Sequence, residues 1–505
     1  MKMKKFLSLL LVAVMVFACA VPAMAAETSD NYDHNPQVYV TGFASANIYY
    51  ENDPDKKPLF YPIDTDRILG NLKNVGEYIN TSIMNRETDV LYTVVYEFLC
   101  DSFGMLAMNP DGSNMEGVAV EPTTLCYDGN GKYVFNYDSR KNPLDLVAEL
   151  KAYIELVKAD SGKDKIELVG SSYGVNVVTT YLSVYNNDLD DIDSVLLCVP
   201  SVGGIPFFGE LLSGEFNVDP MSLKGFLESN LDSSTVSALL DMMNKAGVYE
   251  MLVTALLVPA LRDAIYDAIL QFGRDVIATV PAIWVTIQDQ HFDSAMTTMF
   301  GENYADPDHE YAKLIETAHT YHNEIMLKAE DILLEADGKV EQLSIIAKYG
   351  SPTMPIGKDS NVLQDGLADV TVSTFGAVCA PYGEKLAEDY VQGAHPEYNF
   401  ISADRCIDMS TALLPYDTWV LKGLGHSQKN EDYWKLLDNI VYNNLDITSD
   451  PECPQFQQVS PDDAERLIPL MADEGQETTI LGKLLNAIRE LFSLFYNTLK
   501  KVFGR

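Results

Sequence analysis

The sequence predicts an α/β fold: a mostly parallel sheet covered by helices on both faces. Three observations carry that prediction. Short apolar strand patterns alternate with helical periodicities along most of the 505 residues, which is the signature of a parallel sheet with crossover helices. One strand runs straight into a tight glycine-bounded turn and then into a helix. A stretch with helical patterns alone, residues 214–339, separates two strand-bearing parts.

In chain order, Gln37 to Thr41 reads as a short buried strand ending at Gly42, and Asp89 to Met108 as an apolar helix. Lys132 to Tyr137 is a strand with alternating aromatic residues. In the stretch Pro143 to Ala159, residues Leu144, Leu146, Leu150, Ile154 and Leu156 recur near every third or fourth position, so a helix is expected. Lys165 to Val169 is a strand, Val175 to Tyr185 a helix, and Asp193 to Val199 a strand. After the helical block come Leu343 to Tyr349 and, as the last strand, Thr418 to Leu421.

The ends of the chain differ from this body. Lys2, Lys4 and Lys5, the apolar run to Phe17, and Ala23-Met24-Ala25 have the layout of a secretory leader over 1–25. Losing it removes three lysines and no acid, which takes the formal charge from −39 to −42. A field of that sign opposes nucleic acid, so nucleic-acid partners are not expected. The six remaining cysteines, Cys100, Cys126, Cys198, Cys379, Cys406 and Cys453, show no metal-ligand spacing. Cys198 sits in an apolar strand and reads as a buried thiol. The expected organisation is a leader (1–25), a core in two parts (26–213 and 340–450) and a helical cap inserted between them (214–339). An acidic linker (451–479) and a basic amphipathic helix (480–505) follow.

In that helix, Ile480, Leu484, Ile488, Leu491, Phe495, Leu499 and Val502 share one face, beside Lys483, Arg489, Lys500, Lys501 and Arg505. Such a helix either docks on the acidic body or rests in a membrane interface.

The chemistry-bearing motif is Gly170-Ser171-Ser172-Tyr173-Gly174, a G-x-S-x-G string between strand and helix. In that context the serine is a nucleophile on a strained turn, facing the positive end of the following helix. It requires an acid and then a base later in the chain. His426, in a glycine-containing loop just after Thr418 to Leu421, is the expected base. Asp369, in the loop after Leu343 to Tyr349, is the expected acid, with Asp365 as the alternative. Backbone N–H groups of Phe43 and Tyr173 are the expected oxyanion donors. No metal or organic cofactor is implied.

With these residues in hand, the chain resembles the lecithin:cholesterol acyltransferase-like branch of the α/β-hydrolases, which includes phospholipases and bacterial lipases. Thr41-Gly42-Phe43 is similar to the family's oxyanion loop, and Tyr137-Asp138-Ser139-Arg140 to its Tyr-Asp-Trp-Arg signature. Val199-Pro200 through Gly203-Gly204-Ile205-Pro206 to Leu211-Leu212-Ser213-Gly214 resembles its post-nucleophile segment. Asp369-Val370-Thr371-Val372 echoes its acid motif, and Gly423-Leu424-Gly425-His426 its histidine element. The resemblance implies an α/β-hydrolase fold and an exported serine ester hydrolase of lipase or phospholipase type, working on lipid or other esters. The same scaffold also admits acyl transfer, or a non-catalytic binding or surface-interaction protein.

Overall fold

The computed structural model describes residues 34–43, 45–59, 78, 81–128, 131–216, 258–351 and 362–472. The leader, the first part of the expected cap (217–257) and the basic helix 480–505 lie outside these residues.

The frame is an eight-stranded sheet. Its strands are β1 (Gln37–Val40), β4 (Lys132–Phe135), β5 (Ile166–Ser171), β6 (Ile192–Cys198), β7 (Gln342–Tyr349), β10 (Thr418–Lys422), β11 (Phe456–Val459) and β12 (Leu467–Pro469). In space they run β4-β1-β5-β6-β7-β10-β11-β12. All neighbours are parallel except the antiparallel β11–β12 edge pair. Two small antiparallel ribbons, β2 (Ile48–Tyr50) with β3 (Val118–Val120) and β8 (Val378–Cys379) with β9 (Ile407–Asp408), sit in the connections.

Strand alternation sorts the side chains into two cores. Val38, Val40, Leu168, Val195, Leu197, Leu343 and Ile345 belong to one. This core also holds the apolar sides of α2 (Pro143–Ser161), α3 (Tyr173–Val184) and α9 (Ala329–Asp337). Tyr39, Val169, Leu196 and Ile346 belong to the other, with Tyr433, Leu436, Leu437 and Ile440 of α11 (Glu431–Asn443). The near-continuous apolar strands follow from burial on both faces.

Local chemistry fixes the helix ends. α2 begins with Pro143 in its first turn and Asn142 as N-cap, whose side chain accepts from Leu144 N–H at 3.0 Å. It ends on Gly162 at φ +69°, the left-handed cap for which glycine is suited. α11 is pinned to the opposite side of the sheet through Asp438, which accepts from Gln37 at 3.0 Å and pairs with Lys132 at 2.8 Å.

Between β6 and β7 the described residues contain helices and no strand: α4 (Pro206–Ser213), α5 (Pro259–Asp275), α6 (Pro281–Trp284), α7 (Asp289–Phe300), α8 (Ala312–Glu324) and α9. α5 lies against α1 (Thr88–Phe103), and α7 against α4. α9 packs on α3 and β7. The last part of the block therefore covers the sheet, rather than standing apart from it.

The C-terminal region departs from the sequence expectation. Residues 451–472, read as part of an acidic linker, carry β11 and β12, so Thr418–Lys422 is not the last strand. Gln455 and Gln457 are buried among hydrogen-bond partners, and the acidic run 462–465 forms the hairpin turn, with Arg466 N–H donating to Asp463 O at 3.1 Å. A Phe-Gln-Gln-Val strand one place in from the sheet edge shows little hydrophobic alternation, and the acids around it belong to its turn. All six described cysteines are free thiols, and Cys198 is fully buried.

Candidate active site

Ser172, His426 and Asp365 converge at the carboxyl ends of the parallel strands, where ligands of open α/β sheets usually bind. Ser172 follows β5 at φ +55°, ψ −124°. A left-handed backbone is rare for a residue with a side chain and is held here from outside. Ser172 N–H donates to Cys198 O at 2.9 Å, and Val175 N–H to Ser172 O at 2.8 Å.

The flanking glycines are a matter of space. A β-carbon on Gly174 would stand 2.1 Å from Val40 O, and one on Gly170 would stand 3.0 Å from Gly174 O. The turn fits between β1 and α3 only without side chains at these positions. On Gly42 a β-carbon would lie 3.1 Å from Ser172 Cβ and 3.4 Å from its Oγ, so the loop after β1 passes directly over the serine.

That loop is braced from several sides. The fully buried Tyr137 hydroxyl donates to Thr41 O at 2.5 Å, and burial holds this phenol neutral by pushing its pKa well up. Thr41 and Ser45 are joined by a hydroxyl–hydroxyl bond. Phe43 stacks on Tyr173 with ring centroids 4.5 Å apart. Among the described residues, no backbone carbonyl accepts from the Phe43 or Tyr173 N–H. Beside Tyr137, Asp138 and the buried Arg140 make a two-point pair, both bonds 2.9 Å, and Arg140 O accepts from Ala282 N–H at 2.9 Å. The Tyr-Asp-Ser-Arg segment thus ties the loop after β1 to the helical block.

Ser172 Oγ lies 2.7 Å from His426 Nε2, and His426 Nδ1 lies 2.7 Å from Asp365 Oδ2. Both His426 and Asp365 are buried, at 2% and 1% exposure. With Asp365 Oδ2 as hydrogen-bond acceptor for Nδ1–H, Nε2 is left to accept from the serine hydroxyl. Asp365 is itself oriented: its Oδ1 accepts from Leu367 N–H at 3.0 Å and Ala368 N–H at 2.8 Å, and its carbonyl accepts from His426 N–H at 2.9 Å.

The expected acid Asp369 does not reach the histidine, and this is a correction to the sequence reading. Gln364 and Asp369 face each other across a tight turn through Gly366, which has φ +101°. Asp369 instead caps the short helix α10 (Val370–Ser373), accepting from Thr371 N–H at 2.8 Å. Burial is the main cause that raises its carboxyl pKa. The signal that separates the two acids is Asp365-Gly366, an Asp-Gly turn pair that points a carboxylate back from the turn.

Sequence reasoning did not single out Lys348. This β7 lysine is 1% exposed. Burial is the largest cause lowering its pKa to about 7, with Lys429 acting in the same direction and Asp365 and Cys198 opposing. The acid loop also docks on the segment after β6: Ser373 Oγ donates to Pro200 O at 2.9 Å, and Gly203 has room only for a hydrogen against Val372.

Among the described residues no group of His, Cys, Asp and Glu is placed to hold a metal ion, and no helix is long and apolar enough to cross a membrane. No known protein-family model matches the chain, and no curated protein is significantly similar to it in sequence.

Proposed function

We propose that this chain is an exported serine ester hydrolase with an α/β-hydrolase fold, of the lipase or phospholipase type that its motifs resemble. The observation that carries the reading is the continuous hydrogen-bonded chain Ser172–His426–Asp365, with the serine on a strained strand-to-helix turn. That arrangement suits nucleophilic acyl chemistry.

In this reading, Ser172 Oγ attacks the ester carbonyl while His426 Nε2 takes its proton. Asp365 holds the imidazole in the required tautomer and offsets the positive charge it gains. The Phe43 and Tyr173 N–H groups receive the oxyanion. His426 then returns the proton to the leaving alcohol, and water activated by the same imidazole releases the acyl group. The leader over 1–25 supports export, and the basic amphipathic run Ile480 to Phe503 supports contact with a lipid surface.

The test is hydrolysis of p-nitrophenyl esters from acetate to palmitate by the mature protein and by Ser172→Ala. Turnover is expected to rise with chain length and to vanish in the variant. Equal turnover by the variant overturns the reading. So does an absence of both turnover and Ser172 labelling by a fluorophosphonate.

A further inference from the structure

Lys348 stands near the carboxyl end of β7, in register with Leu421 of β10, and its side chain is buried behind the turn that carries His426. Its ammonium has three N–H groups and meets three backbone carbonyls. Gly425 O lies at 3.4 Å and His426 O at 3.2 Å, with Gln428 O the third. The ring of Tyr433 lies under the same nitrogen, 4.7 Å away at its centroid. Its hydrogen-bond partners are carbonyls of one turn, not a carboxylate.

Burying an ammonium is costly, and no carboxylate among the described residues is hydrogen-bonded to this one to offset that cost. The arrangement asks for a reason beyond stability. The turn 425–428 is also fastened by Gly425 N–H on Gln428 Oε1 at 3.0 Å, Gln428 N–H on Gly425 O at 3.0 Å and His426 N–H on Asp365 O at 2.9 Å. Those bonds fix the shape of the turn and its link to the acid. The lysine adds a tie to the sheet itself, because β7 is a central strand paired on both sides.

We infer that Lys348 is a positioning residue: by drawing the Gly425, His426 and Gln428 carbonyls onto a central strand, it holds the His426 imidazole at Ser172. The inference rests on the proposed Ser172–His426–Asp365 chemistry. Lys348 touches neither the serine nor the imidazole, so its effect falls on the rate of proton removal and not on substrate binding. A displacement of about 1 Å at a reacting pair costs on the order of a hundredfold in rate.

The experiment is fluorophosphonate labelling of Ser172 in the mature protein, Lys348→Met and Lys348→Gln, over a range of probe concentrations that separates the maximal rate from the half-saturating concentration. Melting curves are taken on each protein. The maximal rate of Lys348→Met is expected to fall more than about fivefold, with the half-saturating concentration within about twofold of wild type. Lys348→Gln, which keeps two N–H donors, should lie between, and it carries the test alone if the methionine variant does not fold. A fall of about fivefold or less overturns the inference. A fall accompanied by weaker probe saturation and a lower melting temperature also does so, since that is the mark of general loosening. Wild-type protein that takes no label at Ser172 counts against the hydrolase reading and not against the lysine.

Discussion

Replacing each loop acid by its amide separates the two aspartates. In Asp365→Asn, the side-chain oxygen keeps the Leu367 and Ala368 N–H donors, because those two bonds already fix Oδ1 at 3.0 and 2.8 Å. The new NH2 group then occupies the place of Oδ2, 2.7 Å from His426 Nδ1. Two donors cannot face each other, so the imidazole changes tautomer and presents Nε2–H to Ser172. The serine loses its acceptor. In a triad of this kind the substitution lowers the rate by about 10⁴, or about 5.5 kcal/mol of transition-state stabilisation at 1.36 kcal/mol per tenfold. Asp369→Asn keeps its N-cap bond to Thr371, since asparagine caps about as well as aspartate, and activity should stay within about twofold. The assay is the pseudo-first-order rate of fluorophosphonate labelling, alongside p-nitrophenyl ester turnover, with melting curves to show that both variants fold. Equal losses in the two variants, or more than about a tenth of the wild-type rate in Asp365→Asn, refute the assignment.

Three further outcomes follow from packing and burial. Gly174→Ala places a β-carbon 2.1 Å from Val40 O, an overlap that costs about 3 kcal/mol or more. Gly104→Ala, where among the described residues no atom beyond its own chain neighbours lies within 4 Å of the added β-carbon and φ is −58°, should leave the urea midpoint unchanged or slightly raised. Lys348 also gives stability a defined pH dependence. Its pKa is lowered from an ordinary 10.5 to about 7 in the folded chain, so between those values the unfolded chain binds more protons. Its contribution to stability therefore rises with pH across that window, by at most about 5 kcal/mol. Melting temperatures of wild type minus Lys348→Met, taken from pH 6 to about 10, should increase with pH. A flat difference rules this out.

The sheet was readable because buried parallel strands are short apolar runs, and each of β1, β4, β5, β6, β7 and β10 is one. Ser172 and His426 were readable for a related reason: both follow such strands directly, so placing the strand places the residue. Asp365 was harder. It sits beyond a longer connection after β7, among several acids, and only the backbone turn at Gly366 decides which carboxylate faces the imidazole. β11 and β12 were obscured by buried glutamines whose amide N–H groups donate to neighbouring carbonyls, a compensation that no single-sequence pattern displays. Lys348 was invisible because a lysine in a strand pattern ordinarily reads as a solvent-facing position. Its burial depends on a turn more than seventy residues away.

β6 and β7 are adjacent in the sheet, although the helices α4 to α9 intervene along the chain. The hydrogen bonds between the two strands fix the separation of everything mounted on their ends, whatever the length of chain that leaves one and returns to the other. Doubling such a connection costs only about 0.6 kcal/mol in closure entropy. The spacing of the groups mounted after β5, β7 and β10 is thus set by strand pairing and not by the length of the block between β6 and β7. A change of length in this block would leave the spacing of those groups to the paired strands.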